Sequence, residues 1–268
     1  KGHLGRILAH RFNLPVTSVE WQPLLCTDGA ALAQKHGLSQ QFICADVLAA
    51  PLQGVLQARQ HLVALHACGQ LHITMLQQAV QAQCQHIQLV PCCYHLIATE
   101  QYQPMSALAT QQPLVLYQDD LKLVVQGQVT AGERVEKLRT TEVLWRLAYD
   151  ELRCDISGDS HYRPLASVAK QWFSRDFAGF AQWAAAQHQL TLPQHVDWQC
   201  YLQRGARRAA MVRRIELVRH LFRRPLEWWL MLDKALYLQQ HGYQTQIKAL
   251  CDYQITPRNF LLQARKAG

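Results

Sequence analysis

The chain has 268 residues, of which 49% are hydrophobic and 17% are charged, so it folds around a core and is not intrinsically disordered. No uninterrupted apolar stretch approaches the length of a membrane-spanning helix, and residues 1–10 do not resemble a secretory signal. Nine cysteines without regular spacing favour a reducing compartment, and we expect a cytoplasmic protein. Acidic and basic residues balance in residues 1–130, so the net charge of +8 belongs to the second half.

Short apolar runs alternate with amphipathic segments over the first 95 residues. Four of these runs are predicted strands, at residues 16–21, 41–45, 61–66 and 86–91. The amphipathic segments between them, such as residues 28–36 and 71–83, show helical periodicity. Strands that alternate with helices at this spacing are typical of a parallel sheet covered by helices on both faces. We therefore expect an α/β fold.

The rest of the chain has a mainly helical pattern. We predict helices at residues 135–153, 165–189, 197–222 and 226–240, and short strands near residues 114–128. The last of these helices ends before Gly242, as many helices end before a glycine. Residues 244–251 and 260–265 are strand-like segments on either side of a turn, so they are predicted to form a terminal β-hairpin.

A glycine-rich turn leads into a helix at the first residues. Gly2 and Gly5 would let backbone amides approach a ligand closely and would direct the positive end of the helix at it. A strand normally precedes such a turn, and we expect that strand upstream of Lys1. Taken alone, the turn is weak evidence for a ligand site.

Acidic residues follow two successive predicted strands. Glu20 ends one strand, where a carboxylate can accept both hydroxyls of a ribose, and Trp21 beside it could pack on an adenine ring. Asp46 precedes Val47 at the end of the next strand, where it could bind an adenine amino group. The alternative is that both acids are ordinary strand-end caps. Because open α/β sheets bind ligands at this edge, the shared position favours a cofactor site.

Histidines and cysteines crowd the ends of the third and fourth predicted strands. His66, Cys68, Cys92, Cys93 and His95 include enough ligands for Zn²⁺. However, the side chains of adjacent strand residues such as Cys92 and Cys93 point in opposite directions, so we predict no bound metal. A nucleophilic cysteine with a histidine base is a second interpretation. We favour a third, a pocket rim that positions cofactor and substrate, with thiols acting partly as small hydrophobic groups.

Eight arginines fall within 21 residues, and only Glu216 opposes them. They are Arg204, Arg207, Arg208, Arg213, Arg214, Arg219, Arg223 and Arg224. Met211, Ile215, Val218 and Phe222 recur at helical spacing, and we expect them to form one buried stripe. So many like charges on one helix favour an anionic partner, above all a polyphosphate backbone. The alternatives are a solvated face partly paired with acids elsewhere and, less favoured because the stripe is assigned to the core, a membrane surface.

Four short segments carry a specific combination of motifs. They are Gly-His-Leu-Gly-Arg at residues 2–6, Leu-His-Ala-Cys-Gly-Gln-Leu at 65–71, Pro-Cys-Cys-Tyr-His at 91–95 and Ile-Thr-Pro-Arg-Asn at 255–259. Together they resemble a group of S-adenosylmethionine-dependent methyltransferases that includes eukaryotic methyltransferase-like proteins labelled rRNA adenine dimethylase domain-containing. The chain is also similar to tRNA ribose 2′-O-methyltransferases that modify the acceptor stem. The resemblance covers residues 1–95 and 226–266.

The resemblance implies a Rossmann-like class I methyltransferase sheet of seven strands, the last two of which form an antiparallel hairpin. It implies that residues 1–95 and 226–268 form the S-adenosylmethionine-binding domain. Residues 96–225 would then form a mainly helical, basic insertion that recognises the substrate. Gln70 departs from the group, which often has an aspartate there, and this puts an acid–base role at that position in doubt.

The resemblance also implies the residues of the site. The cofactor would contact Lys1, Gly2, His3 and Gly5 in the first turn, Glu20 and Trp21 at the ribose, Asp46 and Val47 at the adenine, and His66, Ala67 and Cys68 at the methionine end. Beyond the resemblance, we expect Cys92, Cys93, Tyr94 and His95 to line the acceptor pocket as catalytic residues, with Tyr94 stacking on a base and His95 positioning a proton. The basic character of the chain, and not the resemblance, leads us to expect that the substrate binds Arg204, Arg207, Arg208, Arg213, Arg214, Arg258 and Asn259.

These implications lead us to expect a methyltransferase that modifies rRNA or tRNA, with no membrane partner and no preference for DNA. Three alternatives stay open. They are a methyltransferase for a protein or small molecule, a non-catalytic RNA-binding protein on the same fold, and a metal-binding module. The arginine-rich segment favours the two hypotheses in which the partner is RNA.

Overall fold

The computed structural model describes residues 1–49, 52, 54–125, 133–169, 172–173 and 176–267 of the chain. These residues fall into two compact units. Lys1–Gly127 and Arg223–Gly268 make up the first unit, and Gln128–Phe222 make up the second. Residues 96–127 therefore belong with the first unit, whereas the sequence prediction places them in the insertion.

The first unit contains the predicted strands and the terminal hairpin. Its helices are α1 His3–Phe12, α2 Pro23–Lys35, α3 Gln70–Gln81, α4 Ala107–Thr110 and α5 Gln118–Val125. Its strands are β1 Val16–Glu20, β2 Gln40–Cys44, β3 His61–Cys68, β4 His86–Cys92, β5 Tyr243–Ala249 and β6 Phe260–Lys266. All four strands predicted in the first 95 residues are confirmed, and so is the hairpin.

The strands form two sheets, and neither has the expected seven strands. β1 and β2 pair in parallel. The other strands follow the order β3-β4-β6-β5, in which β3 and β4 are parallel and β6 is antiparallel to both of its neighbours. A single seven-stranded sheet is therefore not seen among the described residues, where no strand pairs with the second edge of β1 or of β3.

β4 lies inside the four-stranded sheet, which explains its nearly continuous apolar sequence. Its residues Ile87 and Leu89 are buried in a core with Leu76 of α3, Met231 and Leu262 of β6. Burying an aliphatic side chain of this size contributes about 1.5–3 kcal/mol. This core fixes the carboxyl ends of β3 and β4, where the histidines and cysteines lie.

α5 forms where the sequence predicts short strands near residues 114–128. Asp119 and Asp120 lie in its first turn, where the helix dipole favours negative charge. The Asp120 carboxylate also accepts a hydrogen bond from the Tyr117 amide at 2.9 Å. These interactions stabilise the start of a helix, so the strand prediction is wrong for residues 118–125. Residues 114–117 contain only an isolated bridge between Tyr117 and Gln101, and residues 126–128 lie outside the described residues.

The second unit is helical and has an aromatic core. α6 spans Glu133–Ser157, α7 spans Phe177–Gln187, and α8 spans Trp198–Gln240, so that the last part of α8 belongs to the first unit. Trp145 packs against Phe173, Phe177 and Phe180, with ring centroids 5.7 to 6.0 Å apart. The helix predicted at residues 165–189 begins only at Phe177, where the Asp176 carboxylate caps it by accepting the Gly179 amide at 2.8 Å.

α8 is one helix of 43 residues, whereas the sequence predicts a break at Pro225. A proline inside a helix removes one backbone hydrogen bond. Pro225 lies at an exposed position, where water can replace the lost bond. Beyond it, Leu230 and Met231 are fully buried in the first unit and hold the helix in place. None of the helices in the described part of the chain combines the length and apolar character that crossing a bilayer requires.

The apolar stripe of the arginine-rich segment is exposed, so the expectation of a buried stripe is wrong. Met211, Ile215, Val218 and Phe222 are between 52% and 61% exposed. Residues 211–222 are in fact exposed on every side of the helix. The periodic pattern shows which face of a helix can be buried, but burial also needs an element that packs on that face.

Candidate functional site

The ends of β1 and β2 bring the two predicted acids to one edge of their sheet. Glu20 and Cys44 are register partners, and the Ala45 amide donates to the Glu20 carbonyl at 3.1 Å, so Asp46 follows directly beyond that pair. The Glu20 carboxylate accepts from the Gln22 amide at 3.2 Å, and the backbone nitrogen of Lys1 lies 3.4 Å from it. The start of α1 therefore lies beside the end of β1.

The two glycines of the first turn allow α1 to pack closely on this sheet. Gly2 has a left-handed backbone with φ of 60°, and a Cβ atom there would lie 2.6 Å from the Phe42 ring. A Cβ atom on Gly5 would lie 2.9 Å from Ser18 Oγ. Close packing is thus a sufficient reason for both glycines. Contact of Gly2, Gly5 and His3 with a cofactor stays a prediction.

Asp46 and Trp21 lie on the exposed surface of this edge. One carboxylate oxygen of Asp46 accepts the Leu48 amide at 2.9 Å, so it does cap a turn, as the structural alternative predicts. Trp21 is 65% exposed. The Val47 carbonyl accepts from the Gln78 side chain at 3.4 Å. An exposed carboxylate and an exposed indole at neighbouring strand ends form a surface that an adenosine group could occupy.

The end of β3 contains a β-bulge at His66. The register of β3 against β4 shifts between Leu65 and Ala67, and His66 between them has φ of 58°. The bulge leaves His66 exposed and Ala67 buried. Cys68 then returns to the ladder opposite Cys92. The bulge therefore separates an imidazole on the surface from a thiol that faces β4.

Gly69 connects the loop after β3 to the loop after β4. Its amide donates to the Cys92 carbonyl at 3.0 Å, and the Gln70 amide donates to the Leu96 carbonyl at 2.7 Å. A Cβ atom at Gly69, whose φ is +51°, would lie only 2.0 Å from the Leu96 carbonyl oxygen. Only glycine fits this position, and the two loops are held in contact by their backbones.

Three cysteines form a cluster at the ends of β3 and β4, which we call the thiol cluster: Cys68, Cys92 and Cys93. Their Sγ atoms all lie within 4.8 Å of one another, and the Cys68 and Cys92 sulfurs are 3.0 Å apart. The expectation that Cys92 and Cys93 point apart is wrong. β4 ends at Cys92, and Cys93 has φ of 46°, so the strand alternation does not extend to it.

The thiols of this cluster are poorly suited to act as nucleophiles without help. Burial and the neighbouring thiols raise the pKa of Cys92 far above the ordinary value. Burial also raises the pKa of Cys68. Because the thiolate is the reactive form, these groups stay protonated near neutral pH. The pocket-rim interpretation agrees better with this environment than the nucleophile interpretation does.

Tyr94 is buried, with 2% of its surface exposed. Its ring meets the His72 ring edge-on at 5.6 Å, and the Lys234 ammonium group lies 5.4 Å from its centroid. The expected stacking of Tyr94 on a substrate base does not fit this burial. His95 is half-buried, and its Nδ1 atom has no hydrogen-bond partner among the described residues. A catalytic role of His95 stays a prediction.

Buried charges near Tyr94 escape the sequence analysis. Lys234 is fully buried and donates to the Tyr102 hydroxyl and the Leu230 carbonyl, and burial lowers its pKa to about 8. Glu227 is also buried, which raises its pKa, and the Arg224 guanidinium donates to it at 2.7 Å. The sequence signal that could have revealed these buried charges is the presence of charged residues within the apolar helical pattern of residues 226–240.

The remaining predicted substrate residues of the first unit differ in exposure. Asn259 is buried, accepts from Arg224 at 2.9 Å and donates to the Cys251 carbonyl at 2.7 Å. Its amide thus holds the turn before β6. Arg258 is half-buried, and its Nε atom has no partner among the described residues. Direct contact of either residue with a substrate stays a prediction.

The arginines of α8 in the second unit divide into a paired set and a free set. Arg204 forms ion pairs with Glu151 and Asp155 of α6, and Arg208 pairs with Asp150 at 2.8 Å and with Glu151 at 2.9 Å. The alternative of pairing with acids elsewhere is therefore confirmed for these two. The free set is exposed and makes no ion pair within the described residues: Arg207, Arg213, Arg214 and Arg219.

A groove of about 520 Å³ lies at the other end of the four-stranded sheet. His61 and His86 line it together with residues of β5 and β6, and their rings are 5.3 Å apart. Burial lowers the pKa of His61, so it is neutral near pH 7. Ligands of parallel α/β sheets bind at the carboxyl ends of strands, so we place the candidate site at Glu20, Asp46 and the thiol cluster instead.

Comparison with known proteins gives one match. Residues 1–100 match a family model described as a methyltransferase domain. This range is less than half of the chain, and it contains both strand-end acids and the thiol cluster. Searches of curated proteins and of solved structures found no match. The family match supports a methyltransferase, and the parallel strands of the first unit fit the class I fold that such a domain suggests.

Proposed function

We propose that the chain is an S-adenosylmethionine-dependent methyltransferase that acts on RNA. One observation carries the cofactor half of the proposal: Glu20 and Asp46 lie at the ends of neighbouring parallel strands, beside the start of α1. The methyltransferase-domain match over residues 1–100 supports the same assignment. The free arginines of α8 support RNA as the substrate.

The donor set of this edge fits S-adenosylmethionine. The start of α1 has no side-chain cap and no acidic residue in its first turn, so its amides can bind a carboxylate. The Glu20 carboxylate can accept ribose hydroxyls, and the oxygen of Asp46 that does not cap the turn can accept the adenine amino group. Trp21 offers an exposed ring for the adenine. When bound, this cofactor supplies an electrophilic methyl group.

The loops after β3 and β4 would position the acceptor. Methyl transfer depends chiefly on proximity and orientation, and misplacement by about 1 Å can lower the rate by about 100-fold. The hydrogen bonds from Gly69 to Cys92 and from Gln70 to Leu96 hold these two loops in one arrangement. His66 and His95 lie in them and can hold a proton of the acceptor group. We propose that this rigidity is what the two motifs contribute.

The first prediction tests the cofactor. We expect the full-length protein to bind S-adenosylmethionine with micromolar affinity in a calorimetric titration. Asp46→Ala and Glu20→Ala should each weaken binding by about 10- to 100-fold, since each loses hydrogen bonds to a charged group. Asp119→Asn is the matched control, because Asp119 is an exposed acid whose one ion pair among the described residues is with Lys122, and the variant should leave affinity unchanged.

Two outcomes of this titration would contradict the assignment. Wild-type protein that binds no S-adenosylmethionine would overturn the enzyme proposal and favour a non-catalytic RNA-binding protein. Normal binding by Asp46→Ala would show that the adenine lies elsewhere. Transfer of a tritiated methyl group to RNA or to protein in parallel assays then separates an RNA methyltransferase from a protein methyltransferase.

The second prediction tests the free arginines. We expect the triple variant Arg207→Gln, Arg213→Gln and Arg214→Gln to bind RNA more weakly, because each lost phosphate contact removes counterion release. The slope of log affinity against log salt should fall by about 2 for single-stranded RNA. Arg204→Gln is the control, since its charge is already paired with Glu151 and Asp155 and the slope should not change. A slope in the triple variant equal to that of the wild type would exclude these arginines as the RNA-binding surface.

A further inference from the structure

The thiol cluster has a geometry that its position in a strand pair does not require. Cys68 and Cys92 are register partners in parallel strands, and their sulfurs are 3.0 Å apart. Cys93 joins them, so that three sulfurs lie within 4.8 Å of one another. Strand alternation alone would send the Cys93 side chain away from Cys92. A further feature of the backbone must therefore place the Cys93 sulfur beside the other two.

That feature is the left-handed conformation of Cys93. Its φ of 46° lies in a region that non-glycine residues seldom occupy, and such residues concentrate at functional sites. The Leu96 amide donates to the Cys93 carbonyl at 2.9 Å, which closes the turn. The Gly69 amide holds the Cys92 carbonyl at 3.0 Å on the other side. The backbone around the three thiols is thus fixed from both loops.

The spacing of the three sulfurs fits one tetrahedral metal ion. A Zn–S distance of about 2.3 Å places the sulfurs of a tetrahedral site about 3.8 Å apart. This value lies between the Cys68–Cys92 separation of 3.0 Å and the 4.8 Å limit of the cluster. Small side-chain rotations would therefore suffice to bind the ion. Within the described residues, no histidine, aspartate or glutamate joins the cluster, which leaves one coordination position open.

The charge around the cluster fits a bound complex. Three thiolates and one Zn²⁺ ion carry a net charge of −1, which needs a positive neighbour in a partly buried place. Arg258 lies close enough to Cys68 to interact with it electrostatically. Its Nε atom is buried without a hydrogen-bond partner in the described part of the chain. Arg258 can therefore balance the anionic complex.

We propose that the thiol cluster binds one Zn²⁺ ion through the three thiolates of Cys68, Cys92 and Cys93. Each thiol loses its proton to solvent and forms a Zn–S bond, and no group changes oxidation state. The fourth position is open to water or to a polar group of a ligand, as in zinc sites that have three protein ligands. The proposal replaces the expectation of no metal, and it depends on neither S-adenosylmethionine nor RNA.

The first experiment measures metal in the full-length protein purified with a phosphine reductant. We expect about one zinc ion per chain by elemental mass spectrometry. After removal of zinc by a chelator, Co²⁺ should bind at one equivalent and give an intense thiolate-to-cobalt band in the near ultraviolet. The absence of both zinc and this band would overturn the proposal. A zinc-free protein purified without the reductant that contains a Cys68–Cys92 disulfide, identified in a peptide digest, would also overturn it.

The second experiment separates metal binding from a packing role. Cys93→Gly removes one ligand and gives the left-handed position the residue that tolerates it best. We expect this variant to keep or raise the thermal stability of the chelated protein but to bind Co²⁺ at least about 100-fold more weakly. Cys251→Ser, a cysteine of the same unit outside the cluster, should bind Co²⁺ normally. Unchanged Co²⁺ affinity in Cys93→Gly would exclude Cys93 as a ligand.

Discussion

The Gly69→Ala variant is expected to lose at least about 4 kcal/mol of unfolding free energy in the first unit. Two costs add at this position. The backbone has φ of +51°, which strains any residue with a Cβ atom by about 1–3 kcal/mol. In addition, the new methyl group would lie 2.0 Å from the Leu96 carbonyl oxygen. Because this contact is with backbone, relief requires the loops after β3 and β4 to separate.

Urea unfolding followed by far-ultraviolet circular dichroism measures this loss. Gly37→Ala is the matched control, because Gly37 has φ of +61° but open space where its Cβ atom would lie. It should lose only about 1 kcal/mol, which is the conformational cost alone. Equal losses in the two variants would mean that the contact between the two loops contributes nothing. The Gly69→Ala variant should also transfer methyl groups more slowly, because the loops that are proposed to position the acceptor would separate.

Asp150→Ala is expected to destabilise the second unit by about 3–5 kcal/mol. Asp150 accepts from Arg153 at 3.0 Å, and the Arg153 side chain is only 1% exposed. The other carboxylate oxygen pairs with Arg208 at 2.8 Å. Removing this acid leaves the buried Arg153 guanidinium without its main counter-charge, since Asp159 lies 3.9 Å away. The gain from a buried ion pair is small, but breaking it from one side is costly.

Glu142→Ala provides the control on the same helix. Glu142 accepts from Arg146 at 2.9 Å, but this pair is partly exposed, and such pairs contribute about 0–1 kcal/mol. Thermal unfolding monitored by tryptophan fluorescence checks both variants, since Trp145 lies in the aromatic core of the second unit. The unfolding midpoint of Asp150→Ala should fall well below that of the wild type, and the midpoint of Glu142→Ala should change little. An Asp150→Ala midpoint close to that of Glu142→Ala would contradict the assigned role of the buried pair.

The sequence predicts the strands of the first unit well because their hydrophobic patterns are strong and local. β3 and β4 are apolar runs bounded by polar turns, and the terminal hairpin has two such runs around a turn. The register that places Cys68 opposite Cys92 does not follow from that pairing alone, because the bulge at His66 shifts the register by one residue. The left-handed backbone of Cys93 is also not evident from the sequence. It depends on the Leu96 amide and the loop beyond it, which no local pattern shows.

The arginine-rich helix shows what a sequence pattern leaves undetermined. Its eight cations are evident, but their pairing depends on which helix packs alongside. α6 brings Asp150, Glu151 and Asp155 to Arg204 and Arg208, which neutralises two of them. The prediction that Met211 and Ile215 are buried is wrong for the same reason. Periodicity marks an apolar face, but it does not show whether another element packs on that face.

Residues 211–222 of α8 are exposed on every side, and this exposure affects the stability of the helix there. An isolated helix of about 12 residues is marginal in water, so this segment is held helical mainly by the anchored turns on either side of it. We expect its amide hydrogens to be the least protected of the helix in hydrogen exchange, and its helix content to vary with temperature and salt. A polyanion that neutralises Arg213, Arg214 and Arg219 would remove their mutual repulsion and favour the helical state. Association and local helix formation are then one coupled equilibrium, in which part of the binding free energy goes into ordering the helix.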